Sequence, residues 1–284
     1  MPRVKTENVL SADNQQATPG FIGESPQRLY AKYPKSKKIS EEEALLLGIL
    51  YTDGCLSRNG KRCWRFYLSS TSLEIIHLFC KCITKFFGLD KQRVKISQKV
   101  VNGKPFYKAV SNSAYCGNLL IARYGTFRTL AFRDGSGNEI FPPTKLPIKH
   151  LIGANKVSSF LKAAFSCDGG VNLYKGRYKL RDGYEFLIRN VYLSCHHPQL
   201  QLDYDKLLKF LDIKSKILPK DNRIIIQGRE QLQKFRDKVG FLEGVKITQH
   251  SAYWQGWAKN KVLNLAVSSY GNSRKILNMP QFLG

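Results

Sequence analysis

The sequence predicts a mixed α/β protein of the α+β class, made of two pseudo-symmetric halves that each have the element order αββαββα and an antiparallel sheet. Three observations support this prediction. Two apolar helical stretches, residues 46–54 and 161–169, end in Asp-Gly, and their acids Asp53 and Asp168 lie 115 residues apart. Alternating apolar and polar residues, typical of strands, follow each stretch. The chain has 46 Lys and Arg against 21 Asp and Glu, a net charge of +25.

The first stretch is predicted to be a buried helix that begins at Ser40. Ser40 and Glu43 have the spacing of a capping box, and the apolar residues that follow leave almost no polar face. Gly54 is the expected helix stop, because glycine accepts the left-handed conformation after a last turn. The helix dipole disfavours a carboxylate at this end, so Asp53 indicates a nearby positive charge such as a metal ion.

The second stretch has the same plan, with Asn155 as the candidate cap and Asp168-Gly169 at its end. Gly48 and Ala163 occupy the same place in the two copies, five residues before the acid. Small residues at these places would allow two apolar helices to pack side by side. Packed in this way, the helices would deliver both acids to one shared point.

Strand and turn patterns fill in both halves. Asn102-Gly103 predicts a tight hairpin in the first half. The predicted elements of the first half are strands 55–59, 61–69, 93–101 and 104–110 and helices 72–87 and 113–124. Those of the second half are helix 155–168, strands 171–180, 185–193, 213–218 and 223–227, and helices 198–211 and 229–239. A further helix over residues 253–265 is expected to pack on the outside.

The chain divides into four parts on this interpretation. Residues 1–38 are polar, with scattered Pro and Gly, and form a predicted N-terminal arm. Residues 39–130 are the first half, and residues 131–154 are a connector rich in helix and strand breakers. Residues 155–284 are the second half with its C-terminal helices.

Basic residues recur two apart along several predicted strands and therefore share a face. Such a surface on a chain of this charge indicates a polyanionic partner, with double-stranded nucleic acid the leading candidate. Solvated surface charge is the simpler alternative, and an anionic membrane is the rival partner, although no apolar run approaches spanning length. The candidate DNA-contacting residues are Arg58, Lys61, Arg65, Tyr67, Arg93, Lys95, Lys99, Lys108, Lys175, Arg177, Lys179, Arg181, Arg189, Lys214, Lys216, Arg223 and Gln227. Asn190 is a further candidate for reading base edges, and the sequence does not decide which of these residues contact bases.

Two acids, one in each half, suit a metal-dependent nuclease. Mg²⁺ prefers carboxylate oxygens, water and phosphate as ligands, and bound metals activate water and stabilise a departing oxygen. We therefore predict that Asp53 and Asp168 are catalytic and share two or three divalent ions, with Thr52 and Cys167 as further candidate ligands. The alternative is a buried helix pair whose acids cap nearby backbone amides.

The seven cysteines lack the spacing of a disulfide framework, so we expect a reduced, intracellular protein. Cys80-x-Cys82 and Cys195-His196-His197 lack the paired C-x₂-C spacing of structural zinc sites, which favours core cysteines and a polar loop. No secretory signal is visible. A prokaryotic cytoplasm and an organelle remain equally open as the location.

The two stretches resemble the motifs of the LAGLIDADG homing endonucleases, in the single-chain form with two motifs, and the resemblance covers roughly residues 40–265. The first copy, LLGILYTDG, matches well, with Tyr51 where the family often has an acid. The second copy, LKAAFSCDG, is looser: Lys162 and Ala163 stand where the family often has small residues and glycine, and Ser166 replaces an acid. The family's metal-binding carboxylate is the later acid, which both copies keep.

The resemblance implies saddle-shaped sheets in the DNA major groove and motif helices packed at the centre. It implies an intron-encoded, monomeric enzyme that cuts both strands of a double-stranded site across the minor groove and leaves 3′ overhangs. It also implies a basic residue near the metals, for which Lys246 is the best candidate and Lys145 a weaker one in the first half. Ser69 and Ser194 stand where the family often has Gln or Lys.

A different class of function remains open on the same scaffold: an intron RNA maturase, or a non-catalytic DNA-binding protein. Retention of both acids argues against these alternatives, because neither needs a metal-binding pair. The sequence does not identify the target site or a role for the N-terminal arm.

Overall fold

The computed structural model describes residues 39–60, 63–101, 103–177, 185–248 and 253–271. The predicted arm, residues 1–38, lies outside these ranges, as do Lys61, Lys179 and Arg181. Across the ranges given, none of the helices combines the length and the apolar character needed to cross a bilayer.

Each half contains three helices and four main strands in the predicted order αββαββα. The elements of the first half are α1 (Glu41–Leu50), β1 (Gly54–Asn59), β2 (Cys63–Ser70), α2 (Leu73–Phe87), β3 (Lys95–Val101), β4 (Lys104–Asn112) and α3 (Ala114–Tyr124). A connector follows that contains the short strands β5 (Phe132–Arg133) and β6 (Glu139–Ile140). The elements of the second half are α4 (Ala154–Asp168), β7 (Gly169–Arg177), β8 (Glu185–Ser194), α5 (Pro198–Phe210), β9 (Lys216–Leu218), β10 (Arg223–Gln227) and α6 (Arg229–Lys238). Helix α7 (Lys259–Ser268) ends the described chain.

The two sheets have the same strand order and the same register. The orders are β1-β2-β4-β3 and β7-β8-β10-β9, and all neighbours are antiparallel. Gly54 of the first motif lies opposite Leu68 on the second strand, and Gly169 of the second motif lies opposite Leu193 in the same way. The predicted fold class and the repeat of two halves are therefore confirmed.

Each sheet buries one face beneath helices and leaves the other open. On β2, Trp64, Phe66 and Leu68 point into the core, whereas Arg65 and Tyr67 between them are accessible. Directly paired residues of an antiparallel sheet share a face, so the register assigns every strand residue to one face or the other.

Helices α1 and α4 pack in close contact at the centre of the molecule. A Cβ atom built on Gly48 would lie 2.4 Å from the backbone oxygen of Phe160 and 2.8 Å from the Cβ atom of Ala163. Only glycine permits this approach, because real side chains do not tolerate such distances. The hydroxyl of Ser159 on α4 also donates to Glu41 Oε1 at 3.0 Å.

The motif glycines act by close approach, and not by the left-handed conformation expected of Gly54. Helix α1 ends at Leu50, Tyr51 caps it in a right-handed helical conformation, and Gly54 is the first residue of β1. A Cβ atom on Gly54 would lie 2.9 Å from Ile49 O, and one on Gly169 would lie 2.5 Å from Phe165 O. In both motifs the strand leaves so close to its helix that only glycine fits.

Helix starts follow the prediction in α1 and differ from it in α4. Ser40 Oγ accepts from Glu43 N at 3.1 Å, which is one half of the predicted capping box. The Glu43 carboxylate instead pairs with Arg123 at 2.8 Å and accepts a hydrogen bond from Tyr124 in the core. Helix α4 is capped by Gly153, and not by Asn155, without any side-chain hydrogen bond.

The last described helix is not the outer appendage that was expected. Residues 253–257 are turns, and α7 begins only at Lys259. Val262, Leu263 and Ala266 are fully buried, and α7 packs on strand β7 and helix α6. Its start lies directly beneath the end of the second motif, which bears on the site described below.

Replacing Gly48 tests the central helix contact. Ordinary helix propensity predicts that Gly48→Ala stabilises a helix by about 1 kcal/mol. We expect the reverse, a destabilisation of about 1–3 kcal/mol, because the added methyl group must push α1 and α4 apart. Urea unfolding measures the change in the free energy of unfolding. Gly135→Ala is the matched control, since no atom lies within 4 Å of its Cβ position; an unchanged or stabilised Gly48→Ala would contradict the close contact.

Candidate active site

The end of each motif helix places its acid beside the other. Asp53 follows α1 in a short turn, and Asp168 is the last residue of α4. The two carboxyls lie beside each other, and each alters the pKa of the other. Asp53 and Asp168 occupy equivalent places in the two motifs and lie beside each other. Gly48 and Ala163, about one and a half helical turns earlier, are in contact in the same way. Contacts between equivalent residues are expected around a two-fold axis.

The surroundings of both carboxyls disfavour their charged forms. Water reaches Asp53, and Asp168 is half-buried, while protein surrounds both on their other sides. Burial, the charge of Asp53 and the direct contact with its carboxyl together raise the pKa of Asp168 to about 8, against the opposing charge of Lys259. Burial raises the pKa of Asp53 as well, against the opposing effects of Asp168 and Lys259. Because two adjacent carboxylates repel each other, the pair retains one proton near pH 7.

Lys259 is the cation that acts on both acids, and the sequence analysis missed it. Its ammonium is buried and donates to Ser166 O at 2.8 Å and Gly169 O at 2.6 Å, the carbonyls at the end of α4. Burial lowers the pKa of Lys259 to about 8, and the nearby acids oppose this shift. A cation at a helix C-terminus stabilises the helix dipole, so Lys259 supplies part of the positive charge expected near this helix end.

The predicted neighbours Thr52 and Cys167 also meet across the two motifs. The Cys167 thiol lies beside the Thr52 side chain, while the Thr52 hydroxyl donates to Gly48 O at 2.9 Å. Burial raises the pKa of the Cys167 thiol well above its usual range. A thiol that keeps its proton is a poor metal ligand, so the carboxyl oxygens are the better candidate donors.

The donor set fits a hard divalent cation that keeps most of its other ligands as water or phosphate. Within the described ranges, no group of three or more His, Cys, Asp and Glu side chains is arranged to hold a metal ion, so Asp53 and Asp168 are a pair of acids without a third. Two oxygen ligands at an open site match Mg²⁺, which is usually held by one or two carboxylates. The mutual repulsion of the pair is the observation that favours a cation between them.

The basic and polar residues suggested by the family resemblance lie near the surface. Lys246 is exposed, and its backbone pairs with Ala258, the residue before Lys259. Lys145 in the connector is also exposed. Ser69 and Ser194 lie on the open faces of the two sheets. Roles for these four residues in the chemistry stay predictions.

The open face of the first sheet is rich in cations. It carries most of the predicted DNA-contacting residues of this half, together with one cation that was not predicted, Lys104. Its cationic residues by register are Arg65, Lys95, Lys99, Lys104 and Lys108. Arg58 is the exception, since it lies on the helix-covered side over the ring of Trp64. Arg93 is exposed at the end of a short 3-10 helix that precedes β3.

The open face of the second sheet has fewer cations than was predicted. Lys216, Arg223 and Gln227 lie on it, and Lys214 is exposed just before β9. Lys175 and Arg189 share the other face with the buried Leu173. Predicting them on the open face of this sheet was therefore wrong, because they share their side-chain period with the buried residues of the same strands. Arg177 ends β7, and its side chain lies outside the described residues.

Arg189 is held by the end of helix α7. Its guanidinium donates to Ser269 Oγ at 2.6 Å and Ser269 O at 3.2 Å, and it stacks over Tyr270. Burial lowers its pKa. Arg189 therefore ties α7, and with it Lys259, to the second sheet.

The cysteines contribute no covalent links to the site. All seven are free thiols, and Cys82 and Cys116 are buried in the core of the first half. Cys195 lies before the buried His197, whose ring caps α5 and contacts the carbonyl of Pro142 at 2.8 Å. These contacts are typical of a structural role for Cys195 and His197.

Residues 155–240 match the family model described as a LAGLIDADG-like domain. The match spans the second motif and runs to the residues that follow α6. The predicted resemblance is thus confirmed for this part of the chain, which is the half with the looser motif. The first half has the same strand order and register.

One curated relative is a DNA polymerase of Thermococcus hydrothermalis, which is 25% identical over 285 residues. The alignment covers 91% of this chain and 15% of that protein. The chain therefore spans only a small part of the length of this relative.

Solved structures of homing endonucleases have weak overall similarity to this chain. I-DmoI in complex with DNA and Ca is 14% identical with a TM-score of 0.44, covering 72% of this chain and 91% of that one. I-WcaI bound to its DNA recognition sequence is 12% identical with a TM-score of 0.43, covering 80% and 92%. A variant of I-SmaMI is 9% identical with a TM-score of 0.47, covering 83% and 93%. At this level the similarity establishes neither an activity nor a target.

The raised pKa of Asp168 predicts a specific pH dependence of stability. The folded protein holds this proton up to about pH 8, whereas an unfolded aspartate loses it near pH 4. Because the folded state binds the extra proton, stability should fall as pH rises from about 4 to 8 in EDTA. Asp168→Asn should lose less stability over this range than the native protein. Thermal unfolding at pH 5, 6, 7 and 8 checks this, and parallel curves for the two proteins would contradict it.

Proposed function

We propose that this chain is a site-specific, divalent-metal-dependent DNA endonuclease. One observation carries the proposal: two helices from two repeated halves deliver one carboxyl each to a common point between the halves. Each of these helices leads directly into a sheet whose open face bears polar and basic side chains. The LAGLIDADG-like domain in residues 155–240 supports the same conclusion.

The two open faces are suited to a DNA duplex. Within the described strands, the register places no Asp or Glu on either open face. Lysines at the outer strand of the first sheet would contact phosphates, which fixes the position of the protein without reading sequence. Side chains nearer the centre of each sheet would reach base edges in the major groove.

The carboxyls of Asp53 and Asp168 would hold divalent ions between the protein and a scissile phosphate. Such ions lower the pKa of a bound water and stabilise the departing oxygen. The contribution of the chain is to keep two oxygen donors a short distance apart on two rigid helices. Lys259 holds the end of α4 through the carbonyls of Ser166 and Gly169, so it positions Asp168 without contacting DNA.

The finer features extend this proposal. We propose Mg²⁺ as the natural ion, with two or three ions shared between the acids. Two acids related by a pseudo-two-fold axis suit cleavage of both strands by a single chain, across the minor groove and with 3′ overhangs. We further propose that the protein is encoded by a mobile intron and acts inside a cell or organelle.

Removing either acid should strongly reduce cleavage and preserve DNA binding. Asp53→Asn and Asp168→Asn should each lower double-strand cleavage by roughly 10²-fold or more, because each removes a shared metal ligand. The substrate is a randomised duplex library cut in Mg²⁺, and binding is measured in parallel in Ca²⁺. Asp134→Asn in the connector is the matched control and should cut normally, because Asp134 bonds only within its own turn. Cleavage that survives both substitutions would refute the proposed site.

The lysine-rich face predicts a salt-dependent contribution to binding. Lys99→Ala should weaken binding to all sequences alike and reduce the slope of log affinity against log salt by about 1. Fluorescence anisotropy with duplex DNA at several salt concentrations measures this slope. Lys206→Ala on the distant helix α5 is the control, since its ammonium pairs locally with Asp203. Equal slopes for native protein and Lys99→Ala would place this face away from DNA.

A further inference from the structure

The two open faces are chemically different at equivalent positions. The shared register makes Ser57, Arg65 and Asn112 one row across β1, β2 and β4. The equivalent row across β7, β8 and β10 is Asn172, Asn190 and Gln227. In the first half the central residue is thus an arginine, and in the second half the whole row consists of amides.

The neighbouring row is nearly the same in both halves. Tyr67 and Tyr192 are counterparts on the second strand of each sheet, and Lys95 and Lys216 are counterparts on the outer strand. The two halves therefore share the residues on one side of the row. The two open faces therefore differ in the row that contains Arg65 in the first half and Asn190 in the second.

In the first row, Arg65 is exposed and held in place. One nitrogen of its guanidinium donates to Asn59 Oδ1 at 3.0 Å, and the side chain is exposed on the open face. An arginine fork presented on an open sheet matches the O6 and N7 acceptors of guanine. The geometry favours guanine at the base pair that this row faces.

In the second row, the amides are arranged for adenine. Asn172 Nδ2 donates to Asn190 Oδ1 at 2.9 Å, and this bond does not use the Nδ2 donors of Asn190 or the Oδ1 acceptor of Asn172. Gln227 lies directly opposite Asn190 on β10 and is exposed. Asn and Gln bind the N6 and N7 edge of adenine with a donor and an acceptor.

The distance from the acids locates the two base pairs. Ser57 and Asn172 each lie four residues after the acid of their motif. Four residues of strand span roughly 13 Å at 3.3 Å per residue, which corresponds to about four base pairs of duplex. Both rows thus face positions about four base pairs from the centre of cleavage, on opposite sides.

We propose that Arg65 reads a guanine in one half of the target and that Asn190, with Asn172 and Gln227, reads an adenine at the matched position of the other half. The inference rests on the proposed function, because it assumes that both open faces lie on one duplex. It gives the protein an asymmetric target, read by two faces that share a register and differ in one row.

A binding and cleavage selection on a fully randomised duplex library tests this inference. Native protein should select guanine about four base pairs to one side of the cut and adenine about four base pairs to the other. Arg65→Ala should lose the guanine preference by roughly 5- to 150-fold and keep the adenine preference. Asn190→Ala should do the reverse.

Two further variants sharpen the test. The exchange Arg65→Asn with Asn190→Arg should interchange the two preferred bases. Lys216→Ala on the same open face is the control for a general loss of affinity, and should weaken binding to all sequences equally. A defined target whose preferences at both positions are unchanged in Arg65→Ala and Asn190→Ala would overturn the inference and leave the endonuclease intact. A native protein that neither selects nor cuts DNA would overturn the proposed function, and the inference with it.

Discussion

The close packing of helix α1 against helix α4 is the constraint on which the rest of the structure depends. Gly48 sits so near Phe160 and Ala163 that no side chain fits between them. This contact joins the two halves, fixes the angle at which both motif helices end, and brings Asp53 to Asp168. Both sheets leave from the same point, since each motif runs directly into the first strand of its sheet. The relative placement of the open faces therefore follows from the helix contact.

The same contact explains why the site is electrostatically costly without a cation. Two carboxyls from different halves lie side by side. Burial raises the pKa of both, and the charge of Asp53 adds to the rise for Asp168. The ammonium of Lys259 donates to Gly169 O at the end of α4, and its positive charge offsets part of this repulsion. Arg189 and Ser269 in turn fasten helix α7 to the second sheet. The candidate site thus depends on a chain of contacts that reaches the last described helix.

The sequence predicted the parts of this arrangement that carry a local pattern. The two Asp-Gly endings, the small residues Gly48 and Ala163, and the repeated strand order all follow from periodicity and spacing. Lys259 was not predictable in this way, because it lies far from the motif along the chain and in no motif of its own. Its role arises only when α7 folds beneath α4. Its only sequence signal is its position at the start of an apolar helical stretch.

The wrong assignment of Lys175 and Arg189 to the open face of the second sheet had a different physical cause. Lys175 and Arg189 occupy the same strand period as buried residues such as Leu173, so alternation alone groups them without saying which face is covered. The packing of helix α7 decides the matter. Gly54 was also misjudged, since a glycine after a helix is equally explained by positive φ and by close approach. Only the distance to Ile49 O separates the two explanations.

The most direct test of this account is the titration of Asp168 with and without its partner across the helix interface. Carbon-13 NMR of labelled aspartate carboxyls would follow each acid in metal-free protein. Asp168 should titrate near pH 8 in the native chain and at distinctly lower pH in Asp53→Asn, because the negative charge of Asp53 is then lost. An Asp168 titration that is unchanged by Asp53→Asn would contradict the claim that the two halves share one site.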